Sequence, residues 1–244
     1  MLLKTRGIVL RGVKYGETSL VVTIFTEHNG VQTYMIQGVR TGGARGNKAG
    51  FFQPGTLLEL VVYQQQQKNL QRIKEYSAAH IYRTVLDDIV KNSIVMFSVE
   101  LLLRLLPEEA PLPSLFHMAF GYFTTLDRLS TAGVANFPLR FAISCADELG
   151  YDLKGNYTPG TPYLNLQEGG FSDHPPATVT MTTQDDARLL SALMEVADIT
   201  MVKEVEMSGE VRMRLLDWYI AFLQQHTQHM GNIRSLPLLH AILH

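Results

Sequence analysis

The sequence predicts an α+β protein in two parts, an N-terminal β-barrel followed by an all-α domain. Up to about residue 80 the chain falls into short runs rich in β-branched side chains with turn residues between them. Beyond Ile81 the apolar positions recur at helical spacing. Charge divides at the same place, because ten Lys/Arg face four acids up to His80, a net +6, while the rest of the chain carries a net −8. A length of 244 residues suits two domains, 1–80 and 81–244. Such an asymmetry points to a polyanion-binding module joined to a part with another task.

The elements follow in order. Ile8-Val9-Leu10 opens the first strand, and a polar turn is expected around Gly12 to Gly16. Ser19 to Thr26 is the second strand, and His28-Asn29-Gly30 signals a hairpin into the third, Val31 to Ile36. After a glycine-rich loop come Leu57 to Tyr63 and roughly Leu70 to Tyr76, with Gln64 to Gln67 as a hairpin tip. Five strands in about 75 residues suit a small barrel of the OB-fold kind. Val85, Ile89, Met96, Val99, Leu102, Leu103 and Leu106 then form an apolar stripe ending at Pro107, with Asp87 and Asp88 near its start. Further helices are expected over Leu115 to Leu129, Pro138 to Leu149 with Gly150 as cap, Thr183 to Val196, Gly209 to Gln228 and Leu236 to Leu243. Residues 151–183 are Gly/Pro-rich and read as an ordered insert with a short hairpin through Tyr163 to Leu166 and Gly170-Phe171.

Several function classes fall away. One cysteine, Cys145, excludes an internal disulfide framework and fits a reducing compartment. No apolar run approaches the ~18 residues of a membrane span, and the N-terminus does not read as a signal peptide. His226, His229, His240 and His244 lack a cysteine or acid at ligand spacing, so no metal site is expected. The pairs Asp87-Asp88, Glu108-Glu109 and Asp185-Asp186 sit at helix starts or in loops. No nucleophile, metalloprotease or phosphate-loop motif is present, and an enzyme is not expected.

What does carry chemistry is the segment Gly38 to Gly50, which sets Arg40, Arg45 and Lys48 among five glycines between two strands. Such a loop can lay backbone amides and cations along a phosphate backbone. Most aromatics of so small a barrel are core, and Tyr15 and Tyr34 are the two candidates for stacking on bases.

Together, Thr5 to Arg11, Tyr15-Gly16-Glu17, Val22 to Thr26, Gly38-Val39-Arg40 with its basic loop, and Gln53-Pro54 resemble RecO-type recombination mediators of bacteria. Phe137 to Phe141, Leu149-Gly150-Tyr151 and the final Leu236 to Leu243 extend the resemblance over essentially the whole chain. The resemblance implies a DNA repair protein that binds single- and double-stranded DNA and anneals complementary strands. It also implies engagement of the C-terminal tail of the single-stranded-DNA-binding protein and, with RecR, help in loading RecA, in the cytoplasm and at the nucleoid. It carries DNA contact onto Arg6, Arg11, Arg40, Arg45 and Lys48. Many members have a four-cysteine zinc motif after the segment equivalent to Leu149-Gly150-Tyr151, whereas residues 151–183 hold no cysteine, so no zinc is expected. The insert is expected to hold itself by packing through Tyr157, Tyr163, Leu164, Leu166 and Phe171. Arg140, Phe141 and Lys154 are the candidates for the rim of a tail-binding groove. A protein-interaction adaptor and an RNA-binding barrel share this layout and remain as alternatives.

Overall fold

The computed structural model describes residues 1–39, 48–64, 70–108, 110–177, 182–228 and 230–243. They divide into two compact units, one of Met1–Arg83 with Leu106–Thr124 and one of Thr84–Leu105 with Thr125–His244.

In the first unit, β1 (Leu2–Tyr15), β2 (Ser19–Thr26), β3 (Gly30–Ile36), β4 (Leu57–Tyr63) and β5 (Gln71–Ala78) close a barrel in the order β1-β2-β3-β5-β4. All pairings are antiparallel except β3 with β5, which is the OB arrangement. β1 is far longer than its sequence suggests and runs through the expected turn, which falls instead at Gly16 to Thr18. Gly12 pairs with Val22 within the strand, where an added Cβ would stand 3.1 Å from the Phe52 carbonyl.

Two bulges set the phase of the barrel. Val9 pairs with Ile24 and Arg11 with Thr23, leaving Leu10 as an extra residue. Likewise Val61 pairs with Glu75 and Val62 with Ile73, so Lys74 is extra in β5. Ile73 and Tyr76, three apart, therefore both pack on the interior formed by residues such as Val9, Val22, Ile24, Tyr34, Leu58 and Leu60. Among the described residues β3 meets β5 through Tyr34–Gln71 and Met35–Arg72, and Glu108 bridges to Val31 at the start of β3. Beside it, Gly30 has φ of 66°, and a Cβ there would overlap the Ala110 carbonyl.

The outer face of β1 and β2 is apolar at Ile8 and Phe25, both fully buried. The first turns of helix α2 (Pro113–Arg128) cover it, with Phe116 edge-on to Phe25 at 5.4 Å. A polar clamp borders this contact. Arg6 donates to both carboxylate oxygens of Glu27 at 2.9 and 2.8 Å, and its guanidinium lies 4.8 Å from the Phe120 ring centroid. His117 on α2 meets the same carboxylate at 2.7 Å. The Arg6 hydrogen bond in particular holds the Glu27 carboxyl down at about 2.

The second unit is helical: α1 (Ile89–Leu105), the last turn of α2, α3 (Phe137–Leu149), α4 (Gln184–Met194), α5 (Gly209–His226) and α6 (Leu236–Leu243), with a hairpin β6 (Tyr163–Asn165) and β7 (Gly170–Ser172). α1 starts at Ile89 because the Asp88 carboxylate caps the Val90 and Lys91 amides. Thr183 and Asp186 form a capping box on α4, Ser208 caps α5, and Glu100 caps α6 through the Arg234 and Ser235 amides. Ile89 and Met96, expected in the buried stripe, are exposed instead. The turn between them buries Lys91, 2% exposed, whose ammonium donates to Thr84 Oγ1 at 2.7 Å and to the Leu129 carbonyl at 2.6 Å. It thus satisfies a free carbonyl just past the end of α2.

Hydrogen bonds tie the insert to itself and to the helices. Lys154 pairs with Gly169 and Phe171 through its backbone, the Tyr157 amide donates to Ser191 Oγ at 3.1 Å, and His226 meets the Leu166 carbonyl at 3.0 Å. Leu164 is buried, while Tyr157, Tyr163, Leu166 and Phe171 are half-buried.

Three stability outcomes follow. Arg6→Met lowers the stability of the first unit by about 1–2 kcal/mol in urea unfolding, water screening the partly exposed pair. Because the folded Glu27 value lies below its ordinary 4.5, its contribution is complete above that pH and disappears as pH falls towards 2. Acid unfolding of Glu27→Gln should accordingly be less steep in that window than wild type. Lys91→Met takes the ammonium from the partly buried Leu129 carbonyl and costs the second unit about 1–2 kcal/mol, read as a lowered thermal midpoint.

Candidate nucleic-acid interface

The bulges decide which cations gather on the barrel. After Leu10 the inward phase of β1 passes to Gly12 and Lys14, opposite the core residues Val22 and Leu20. Lys14 therefore lines a cleft of about 440 Å³ with Leu20, Ala49, Gly50 and Phe52. A second cleft, of about 280 Å³, is lined by Lys48, Arg72, Lys74, Gln37 and Tyr76. Both border the 3-10 turn Lys48–Phe52 that leads out of the glycine-rich loop. Arg72 is exposed on the strand, and the bulge turns out Lys74, whose nearest acid is Glu75 at 3.3 Å. A third cleft, holding Lys4 with Glu59 and Glu75, has the wrong balance of charge for a polyanion.

The expected DNA-contact residues separate. Lys48 is exposed and joins the second cleft. Arg11 and Tyr15 are exposed, Tyr15 by 59%, but the Leu10 bulge puts them on the opposite face of the strand from Lys14. Arg6 has another task, since its guanidinium is engaged by Glu27 and stacked on Phe120. Tyr34 offers no face to a base: it is 2% exposed in the barrel interior, and burial pushes its hydroxyl well above the ordinary range. Arg40 and Arg45 lie outside the described residues, as do Gln65 to Gln67, Glu109, His229 and His244.

Sequence reasoning missed Arg72, Lys74 and Phe51. Strand alternation would have put Arg72 and Lys74 on one exposed face, a usable signal that was not weighed against the more conspicuous loop. Of two adjacent phenylalanines, Phe52 is 2% exposed in the core and Phe51 is 39% exposed, and no sequence pattern distinguishes them.

The groove rim expected on the helical unit is not formed by the residues named for it. Phe141 is fully buried on α3. Arg140 donates to Ser144 Oγ at 2.7 Å and to the Val196 carbonyl at 3.3 Å, so it caps the chain leaving α4. Its charge already faces Asp147 at 3.9 Å, a carboxyl that burial pushes up to about 6. Lys154 alone is exposed. A zinc ion does not fit the insert: it has no cysteine, its histidine His174 is exposed between Asp173 and Glu168, and no cluster of three metal-ligating side chains is present among the described residues. No helix of the described residues is long and apolar enough to cross a membrane.

Comparison with known proteins agrees with this architecture. The family model "Recombination protein O N terminal" matches residues 1–82, the barrel strands, and "Recombination protein O C terminal" matches residues 86–160. A DNA repair protein RecO of Phocaeicola vulgatus is 31% identical over 240 residues, covering 98% of each chain. Those of Bacteroides fragilis and Christiangramia forsetii are 30% and 28% identical, covering 98% and 99% of each chain. The OB barrel, the helical unit that follows it and full-length similarity at this level place the chain in the RecO family of DNA repair proteins.

Proposed function

We propose that this protein is a non-enzymatic recombination mediator of the bacterial cytoplasm and nucleoid. It binds single- and double-stranded DNA on the barrel and anneals complementary strands. With RecR it helps RecA onto strands coated by single-stranded-DNA-binding protein, whose acidic tail docks on the helical unit, and it does so without zinc. The observation that carries DNA binding is the gathering of Lys14, Lys48, Arg72 and Lys74 around two clefts that share one turn of the barrel. Clustered cations bind phosphates chiefly by releasing counterions, which needs no base sequence and suits a protein that must act on any strand. Arg40 and Arg45 precede Lys48 in the sequence, and the family resemblance extends the proposed DNA contact to them. The +6 of the barrel segment against the −8 of the remainder supports the division of labour.

The test is the salt dependence of DNA binding and annealing. Lys48→Gln/Arg72→Gln/Lys74→Gln removes up to three phosphate contacts and flattens the logarithmic salt slope for single strands by about 2. Annealing of complementary oligonucleotides, bare and coated by single-stranded-DNA-binding protein, slows with it while the circular dichroism spectrum is unchanged. Wild-type protein that leaves annealing untouched at low salt would overturn the reading.

A further inference from the structure

The geometry points to Phe51 as a platform for an unpaired nucleobase, making the turn Lys48–Phe52 the element that distinguishes single strands from duplex. This rests on the DNA-binding reading above and names the part of the ligand that the clefts alone do not select. Side chains three apart on a 3-10 turn lie on the same side, so Lys48 and Phe51 share one face. Both side chains are exposed, and the adjacent Gly50 adds none: a Cβ built there would meet no atom of the described residues within 4 Å, so among those residues the turn presents a ring and a cation on one open face.

The ring is also held. Phe52 is buried in the barrel and packs on Tyr76 at 4.8 Å, which anchors the turn. Phe51 meets the same tyrosine edge-to-face at 5.5 Å, so its ring is braced on one side while 39% of the residue stays open to solvent. Tyr76 in turn lines the cleft with Lys48, Arg72 and Lys74, putting the base platform next to the cations for the flanking phosphates. Aromatic stacking beside a basic groove is the chemistry by which barrels of this kind hold unpaired strands without reading sequence. A base paired inside a duplex has no face to offer.

The experiment compares a thymidine oligomer of about 16 nucleotides, within the site size of one such barrel, with an abasic oligomer of equal length and a duplex, by fluorescence anisotropy. Wild type prefers the thymidine strand over the abasic one by about tenfold. Phe51→Leu removes that preference while duplex affinity and salt slope stay at wild-type values. Phe51→Trp retains it, and its new emission, set against the buried Trp218, is quenched by the thymidine strand and not by the abasic one. A preference that survives Phe51→Leu overturns the proposal, as does an equal loss on all three ligands, which would make Phe51 a structural residue. Equal wild-type affinity for thymidine and abasic strands overturns stacking while leaving phosphate binding intact. Failure of wild type to bind any of the three overturns both readings together.

Discussion

Every strand of a closed barrel pairs along both edges, and β1, the longest, does so by giving a different half of its length to each neighbour. Residues Leu2 to Ile8 pair with β4 and residues Gly7 to Tyr15 with β2, overlapping at Gly7 and Ile8. At Gly7 the interior is so tight that a Cβ would stand 2.6 Å from Ile24 and 2.9 Å from Leu60, so glycine is needed for lack of room rather than for its backbone freedom. The bulge at Leu10 then bends the strand away and exchanges its faces. The placing of the β1 side chains depends on that exchange: Lys14 turns toward the cleft, Arg11 and Tyr15 turn away, and Arg6, before the bulge, faces α2.

The same dependence explains which parts were legible in the sequence. β2, β4 and most helices stand within a residue or two of where alternation and periodicity put them, because local burial decides them. The long β1 and the phase change in β5 did not show, since a bulge leaves composition unaltered and only shifts register. Cations and aromatics were counted correctly, but their roles depended on partners far away in sequence. Glu27 captures Arg6, the barrel interior takes Tyr34, and a helix end takes Lys91, all through contacts that no local pattern carries. Arg140 and Phe141 show the same limit from the other side, being neighbours on a helix whose packing hides one and caps a backbone with the other.

Capping recurs through the helical unit. Four helix starts have a side chain closing their free amides, and a buried ammonium closes the far end of α2. Each such contact contributes about 1 kcal/mol, modest alone but cumulative in short helices that nucleate poorly. The Gly/Pro-rich insert uses the same approach: backbone pairing at Lys154, the Ser191 hydroxyl and the His226 ring each close one of its polar groups, which is how a segment without cysteines keeps a defined course.

Among the described residues the join between β3 and β5 spans two residue pairs, while β2 pairs with β3 along the whole of its other edge. A strand edge left open invites pairing with another chain and, in a protein made at high concentration, aggregation. The bridge from Glu108 to Val31, and the Ala110 carbonyl seated over Gly30, act as a stopper at the start of β3. The segment after α1 is thus more than a connection: it occupies positions on the edge of β3 that another polypeptide could otherwise extend.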